Sequence, residues 1–229
     1  MSKRRSQGTA PRRRAPSRSR RKRGGILGDP HVGPLLRRIG ELGLGWEDVA
    51  EDVLPVFERA RPFTYGIEPP AQAVVPPGVT VGFGIDLGLA FARVGVATLE
   101  AWPVDVDGLT ERALHNLRRV ARHARDYDLV TEPVGGVMTT VFQSRDGWAS
   151  TAVLVPEAIG RVFGADPALL IAPSRDLLVA LPVDVDIEFA TWLAEEFESE
   201  DPNALRLEAF EWRDGTVHCR PLAREAVAV

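Results

Sequence analysis

Residues 169–182 have the sequence LLIAPSRDLLVALP, in which two apolar runs flank a short polar segment. The runs Leu169–Ala172 and Leu177–Pro182 have the length and the aliphatic content of strands. Elsewhere in the chain, predicted strands and helices are mixed without a regular strand–helix–strand alternation. The sequence therefore predicts an α+β fold, with a mixed or antiparallel sheet and helices packed on it.

The periodicity of apolar residues and the turn signals predict the remaining elements. Further strands are predicted over 79–87, 91–102, 128–132, 137–143, 148–155, 205–212 and 216–221. Helices are predicted over 33–43, 46–61, 109–125, 156–163 and 187–197. The predicted organisation is a basic tail (1–25), a short helical segment (26–64), a proline-rich connector (65–78), an α+β domain (79–221) and a C-terminal tail (222–229).

Charge is divided sharply between the first 25 residues and the rest of the chain. Of 28 basic residues, eleven lie in 1–25, which leaves 17 basic against all 32 acidic residues, or a net charge of −15, in 26–229. The tail contains no Leu, Ile, Val or Phe, so it is predicted to be disordered and lacks the apolar core of a signal peptide. Its densest basic positions are Arg12, Arg13, Arg14, Arg20, Arg21, Lys22 and Arg23.

Flexible cations of this density bind phosphates in a salt-dependent, sequence-independent manner. The tail is therefore predicted to contact a polyanion such as nucleic acid, and the chain is interpreted as a non-catalytic binding or accessory module. Two alternatives stay open: the tail folds back on the acidic body, or it serves solubility alone. No run approaches the ~18 apolar residues of a membrane-spanning helix, and a cytoplasmic location is predicted.

Several chemistries are excluded by residue type. Lys3 and Lys22 are the only lysines, so residues 26–229 lack the lysine of a P-loop, a kinase or a Schiff-base enzyme. The single cysteine, Cys219, forms no internal disulfide, and His218 beside it points to the opposite face of a strand. No Gly-x-Ser-x-Gly motif is present. The sequence predicts no catalytic residue, no metal site and no cofactor.

A pentapeptide, Pro-Val-Asp-Val-Asp, occurs at 103–107 and again at 182–186, each time before a predicted helix. Asp107 and Asp186 are predicted to cap these helices, and metal binding by the paired carboxylates is the alternative. The segment Gly84–Gly88 resembles the first phosphate loop of the actin and Hsp70 fold, but a plain glycine turn is the preferred interpretation.

Two polar clusters are candidate ligand sites. Arg112, Arg119 and Arg122 align with His115 along one face of the predicted helix 109–125, where they could bind a phosphate or an acidic partner, or form a solvated face. Ser174, Arg175 and Asp176 lie between the two apolar strands. They suggest either a turn or a ligand site, and an enzyme of unknown reaction built around Arg175 and Asp176, or around Asp86, is the alternative to a binding module.

Short motifs connect the chain to a known family. Trp102, the run Ala113-Leu114-His115-Asn116-Leu117 and the run at 172–179 resemble the YtpQ-like bacterial family, a domain of unknown function. The resemblance covers roughly residues 80–185. It implies a cytoplasmic bacterial α+β protein, and it transfers no activity, cofactor or catalytic residue.

Overall fold

A computed structural model describes residues 45–58, 69–86, 91–123, 129–144, 147–201 and 204–224. The basic tail, the predicted helix at 33–43 and residues 225–229 lie outside the described residues. Helices and two antiparallel sheets make up the described part, which confirms the α+β class.

The first helix begins at Trp46, one residue after the first described residue. In chain order they are α1 (Trp46–Val49), α2 (Val96–Glu100), α3 (Val106–Ala121), α4 (Pro156–Phe163) and α5 (Ile187–Glu200), with a 3₁₀ helix at Ser150–Leu154. The strands are β1 (Val53–Phe57), β2 (Gln72–Val75), β3 (Val79–Asp86), β4 (Phe91–Arg93), β5 (Leu129–Val134), β6 (Val137–Gln143), β7 (Ala168–Ser174), β8 (Leu177–Pro182), β9 (Ala209–Arg213) and β10 (Thr216–Arg220).

Both sheets are antiparallel throughout. The smaller sheet has the order β1-β3-β2. On the side of β3 opposite β1, β2 pairs with the N-terminal half of β3 and β4 pairs with its C-terminal half. The larger sheet has six strands in the order β10-β9-β7-β8-β6-β5. The hairpin formed by β7 and β8, the stretch with two apolar runs, therefore occupies the centre of the larger sheet.

This central hairpin is buried on both faces. Leu170 and Leu178 face a core shared with the smaller sheet, α3 and α4. Ile171 and Val179 face the opposite way, into a second core beneath α5. Because successive strand residues point to opposite faces, a strand covered on both sides needs apolar residues at every position. The two covered faces explain why these runs do not alternate with polar residues.

Helix α3 packs against β1 and buries Leu109, Ala113, Leu117 and Ala121. Its N-cap is Asp105, whose Oδ1 accepts a hydrogen bond from the Gly108 N–H at 2.9 Å. The prediction of Asp107 as the cap is therefore wrong, because the helix begins one residue before it.

The second copy of the pentapeptide caps at its last residue. Asp186 Oδ1 accepts a hydrogen bond from the Glu188 N–H at 2.9 Å at the start of α5, which confirms the predicted cap.

The helix predicted over 46–61 is wrong beyond its first turn. Residues 53–57, Val-Leu-Pro-Val-Phe, form β1, and all five are buried. An apolar run of this length fits the buried side of a helix and a fully covered strand equally well. Pairing with β3 decides the outcome, since every residue from Val53 to Phe57 has a partner on that strand.

Three further predictions need correction. The strand predicted over 91–102 ends at Arg93 and is followed by α2. The strand predicted over 148–155 is instead a 3₁₀ helix. The predicted connector contains β2, which is an edge strand of the smaller sheet. An edge strand tolerates nearby prolines, because its outer side pairs with no other strand. In all three cases, local composition alone could not show whether a pairing partner was within reach.

Candidate functional site

The predicted cluster at 174–176 forms the tight connection between β7 and β8. Ser174 is 1% exposed, and Arg175 and Asp176 are half-buried. The Arg175 carbonyl accepts the Ser150 N–H at 3.1 Å, and the Asp176 carbonyl accepts the Ser144 N–H at 3.0 Å. The backbone of this turn thus holds the 3₁₀ helix and the end of β6 in place.

A second set of contacts reinforces the same region. Ser144 Oγ accepts hydrogen bonds from the Trp148 and Ala149 N–H groups at 3.0 and 2.9 Å. Hydroxyl groups of this kind organise loops by satisfying backbone donors. The structure therefore gives residues 174–176 a visible architectural role, and they line neither of the two cavities described below.

Helix α3 divides the predicted arginine face into two groups. In the first group, Arg112 Nη1 lies 2.9 Å from Glu51 Oε1, and Arg119 Nη2 donates to the Glu51 carbonyl. Both arginines thus hold the loop between α1 and β1. Arg112 and Arg119 form the loop-holding pair.

Asn116 contributes to the same attachment from the buried side of α3. Its Nδ2 donates to the carbonyls of Ala50 at 2.8 Å and Val53 at 2.9 Å, and the residue is fully buried. Its position between buried Ala113 and Leu117 was the available sequence signal: an amide on the apolar side of a helix must find partners. No role is predicted for Asn116 from the sequence.

Arg122 belongs to the second group, which surrounds a cavity. The cavity has a volume of about 290 Å³ and lies between the end of α3 and the start of α4. Its lining comprises Arg118, Ala121, Arg122, Val155, Glu157, Ala158 and Arg161. Three arginines and one glutamate thus border an apolar floor, and we name this site the arginine cavity. Sequence reasoning found Arg122 but missed Arg118 and Arg161.

Backbone contacts partly fix the arginines of this cavity. Arg161 Nη1 donates to the Ala121 carbonyl at 2.9 Å, and Arg122 Nε donates to the Arg118 carbonyl at 3.3 Å. Among the described residues, none of the three arginines forms an ion pair with a carboxylate. The arginine cavity consequently keeps guanidinium N–H groups that form no ion pair with a described carboxylate, although Glu157 borders the same cavity.

A second cavity of about 400 Å³ has the opposite balance of charge. It is lined by Glu58, Gln72, Gly78, Val79, Thr80, Leu205, Arg206, Leu207, Glu208, Phe210 and Cys219. Burial, and then the nearby Glu208 carboxylate, raise the pKa of the Cys219 thiol. A raised thiol pKa disfavours the thiolate that a nucleophile requires. His218 Nε2 lies 2.9 Å from Thr216 Oγ1, on the opposite face of β10 from the thiol.

Groups of metal-ligating side chains and long apolar helices are both absent from the described ranges. Within them, no three His, Cys, Asp or Glu side chains are grouped so as to hold a metal ion. None of the described helices combines the length and apolar character needed to cross a bilayer. The glycine segment at 84–88 begins in β3, but residues 87–90 lie outside the described chain.

Comparison with known proteins yields no assignment. No protein-family model matches the chain. No match is found among curated proteins or among solved structures. The resemblance to the YtpQ-like family therefore stays a prediction, and the function has to be inferred from the chemistry of the sites themselves.

Proposed function

We propose that this protein is a non-catalytic cytoplasmic module that binds a phosphate-rich polyanion, with nucleic acid as the leading candidate. The basic tail supplies most of the electrostatic attraction, and the arginine cavity supplies a fixed contact on the folded body. The observation that carries the proposal is the arginine cavity: three arginines border one cavity on a body of net charge −15.

The charge balance makes this cavity unusual within the chain. A strongly acidic body repels polyanions as a whole, so a bound strand must be attracted by local positive charge. The eleven cations of the tail provide such charge without requiring a fixed geometry. The tail lacks aromatic residues, so base stacking contributes little and sequence preference is expected to be weak.

The test measures binding of the full chain to labelled single-stranded RNA and duplex DNA by fluorescence anisotropy across a salt series. A tail variant carries glutamine at each of its densest basic positions, namely Arg12, Arg13, Arg14, Arg20, Arg21, Lys22 and Arg23. The matched control carries lysine at the six arginines of that set, which keeps the charge. For duplex DNA, each lost phosphate contact lowers the slope of log affinity against log salt by about 0.9.

We expect the glutamine variant to lose most of its affinity and salt dependence, and the lysine variant to retain both. Absence of salt-dependent binding by the native chain would contradict the proposed function. Equal binding by the native chain and the glutamine variant would show that the tail does not contribute to the proposed binding. Thermal unfolding of all three proteins checks that the comparison is made between equally folded molecules.

A further inference from the structure

We infer that the arginine cavity recognises a terminal phosphate monoester, the group found at a phosphorylated strand end or on a free mononucleotide. The inference rests on the proposed function and specifies which phosphate the folded body takes. An internal phosphodiester of the same strand is the competing ligand, and the two differ in charge, in shape and in the number of free oxygens.

The number of guanidinium groups favours the monoester. A phosphate monoester carries three terminal oxygens and a charge near −2 at neutral pH, whereas a diester carries two free oxygens and one charge. One guanidinium satisfies two oxygens in a bidentate contact. Arg118, Arg122 and Arg161 therefore offer more donors than a diester can accept. The third oxygen of a monoester accepts hydrogen bonds from guanidinium N–H groups that would otherwise contact only water.

The shape of the site also favours a chain end. At about 290 Å³, the arginine cavity has room for one compact group such as a phosphate. An internal phosphodiester continues in two directions, and both neighbouring nucleotides need room outside the cavity. A terminal phosphate enters with only one continuing bond, which leaves the rest of the strand free to reach the tail.

The lining outside the arginines suits a sugar. The apolar lining residues Ala121, Val155 and Ala158 are each at most 2% exposed, so they offer a sugar ring a small apolar contact. Glu157 also borders the cavity, and its carboxylate can accept a hydrogen bond from a hydroxyl group. A sugar carrying its phosphate combines an apolar ring face with hydroxyl donors. This combination separates a nucleotide end from inorganic phosphate, which has neither.

The experiment compares one short single-stranded oligonucleotide in three forms: with a 5′-phosphate, with a 3′-phosphate, and with hydroxyl groups at both ends. The full-length native protein is titrated with each form at the same salt concentration. We expect at least one phosphorylated form to bind about fivefold tighter than the hydroxyl form, since charge-assisted hydrogen bonds at a partly exposed site are worth about 1 kcal/mol. Unlabelled adenosine monophosphate should compete for this gain, and adenosine should not.

Matched variants locate the effect on the protein. The pair Arg118→Gln with Arg122→Gln should abolish the gain from phosphorylation. The loop-holding pair, Arg112→Gln with Arg119→Gln, makes the same charge change on the same helix and should leave the gain intact. A modest loss of stability in a variant does not affect this comparison, because the gain is the ratio of two affinities measured on the same protein.

Each outcome has a defined meaning. Equal affinity for all three oligonucleotides, together with no binding of adenosine monophosphate, overturns the inference and leaves the proposed function standing, since tail binding requires no free end. Loss of the gain in both arginine pairs also overturns it, because the effect would then be a general response to charge. Binding of adenosine monophosphate alone, with no gain on strands, would keep the phosphate-monoester site and assign it to free nucleotides. No binding of any oligonucleotide contradicts the proposed function itself.

Discussion

Helix α3 carries two groups of arginines whose positions in the sequence are interleaved but whose surroundings differ. Arg112 and Arg119 hold the loop at Glu51. Arg118 and Arg122 border the arginine cavity with Arg161 from α4. Arg118 and Arg119 are adjacent, yet they belong to different groups, because neighbouring helical residues are rotated by about 100° from each other.

Residues on one charged helix face therefore serve different roles. The loop-holding arginines stabilise the fold through their contacts with Glu51. The cavity arginines form no ion pair with a described carboxylate, so they are available to a ligand. Substitutions in the loop-holding pair should alter stability without altering ligand binding. Substitutions of the cavity arginines should alter ligand binding without altering stability.

The largest effect is expected from Asn116, which anchors the same loop as the loop-holding pair. Asn116→Ala removes two buried hydrogen bonds to Ala50 and Val53 and leaves space beneath α3. We expect the free energy of unfolding in urea to fall by about 3 kcal/mol. Glu111→Ala, an exposed change on the same helix, should stay within about 0.5 kcal/mol. A loss below about 1 kcal/mol for Asn116→Ala would show that the loop is held by other contacts.

The second effect concerns affinity for strands. The pair Arg118→Gln with Arg122→Gln should weaken binding to the phosphorylated oligonucleotide that shows the gain by about fivefold and should reduce the salt slope by about 1, because phosphate contacts are lost. The loop-holding pair should leave affinity within about twofold, since those cations contact Glu51 instead. Anisotropy titrations at several salt concentrations measure both quantities. Similar losses in both pairs would break the division between the two groups.

A third, smaller effect tests how the helix that carries both groups begins. Asp105→Ala removes the side chain that accepts the Gly108 N–H, so it should destabilise the protein by about 1 kcal/mol. Asp107→Ala lies inside the first turn of α3 and should lose only a dipole contribution of about 0.3–0.5 kcal/mol. Denaturation in urea compares the two. The reverse order would restore the sequence-based prediction that Asp107 is the cap.

The smallest effect is expected from the exposed ion pair. Arg112 and Glu51 have exposed fractions of 38% and 68%, so solvent screens their attraction. A double-mutant cycle of Arg112→Gln and Glu51→Gln should give a coupling energy of about 0.5 kcal/mol or less, and high salt should reduce it further. A coupling energy above about 1 kcal/mol would mean that the loop-holding pair acts as more than a surface contact.

Helices and strands were predicted correctly where the local sequence pattern agrees with the burial that the segment has in the folded protein. Pro156–Phe163 forms the predicted helix α4, and the two apolar runs form β7 and β8. Prediction failed where a short apolar segment fitted two structures. Val53–Phe57 was assigned to a helix and forms a strand, because the pairing partner Val81–Ile85 lies about 30 residues away along the chain.

The candidate site shows the same limit. The helical repeat revealed Arg112, Arg119 and Arg122 as one face. It could not reveal that Arg161, from a different helix, completes the arginine cavity, or that Glu51 engages two members of the face. Side chains separated by tens of residues meet only after the helices have packed, so no local spacing records their meeting.

The two copies of Pro-Val-Asp-Val-Asp show this limit with identical residues. In the first copy the third residue, Asp105, caps the helix, and in the second copy the last residue, Asp186, does so. Identical local sequence therefore gave two different helix starts. The preceding chain differs, since the second copy begins at the last residue of β8 and the first follows α2.

The sequence by itself determined composition, charge segregation and the absence of lysine from residues 26–229, because these are properties of residue type and need no fold. It also determined the central strands, whose unbroken apolar runs are stable only when covered on both faces. Only the tertiary structure decided which arginines are engaged and which border a cavity. That decision depends on side chains brought together by burial of the cores, and burial acts over distances in space that the order of residues does not specify.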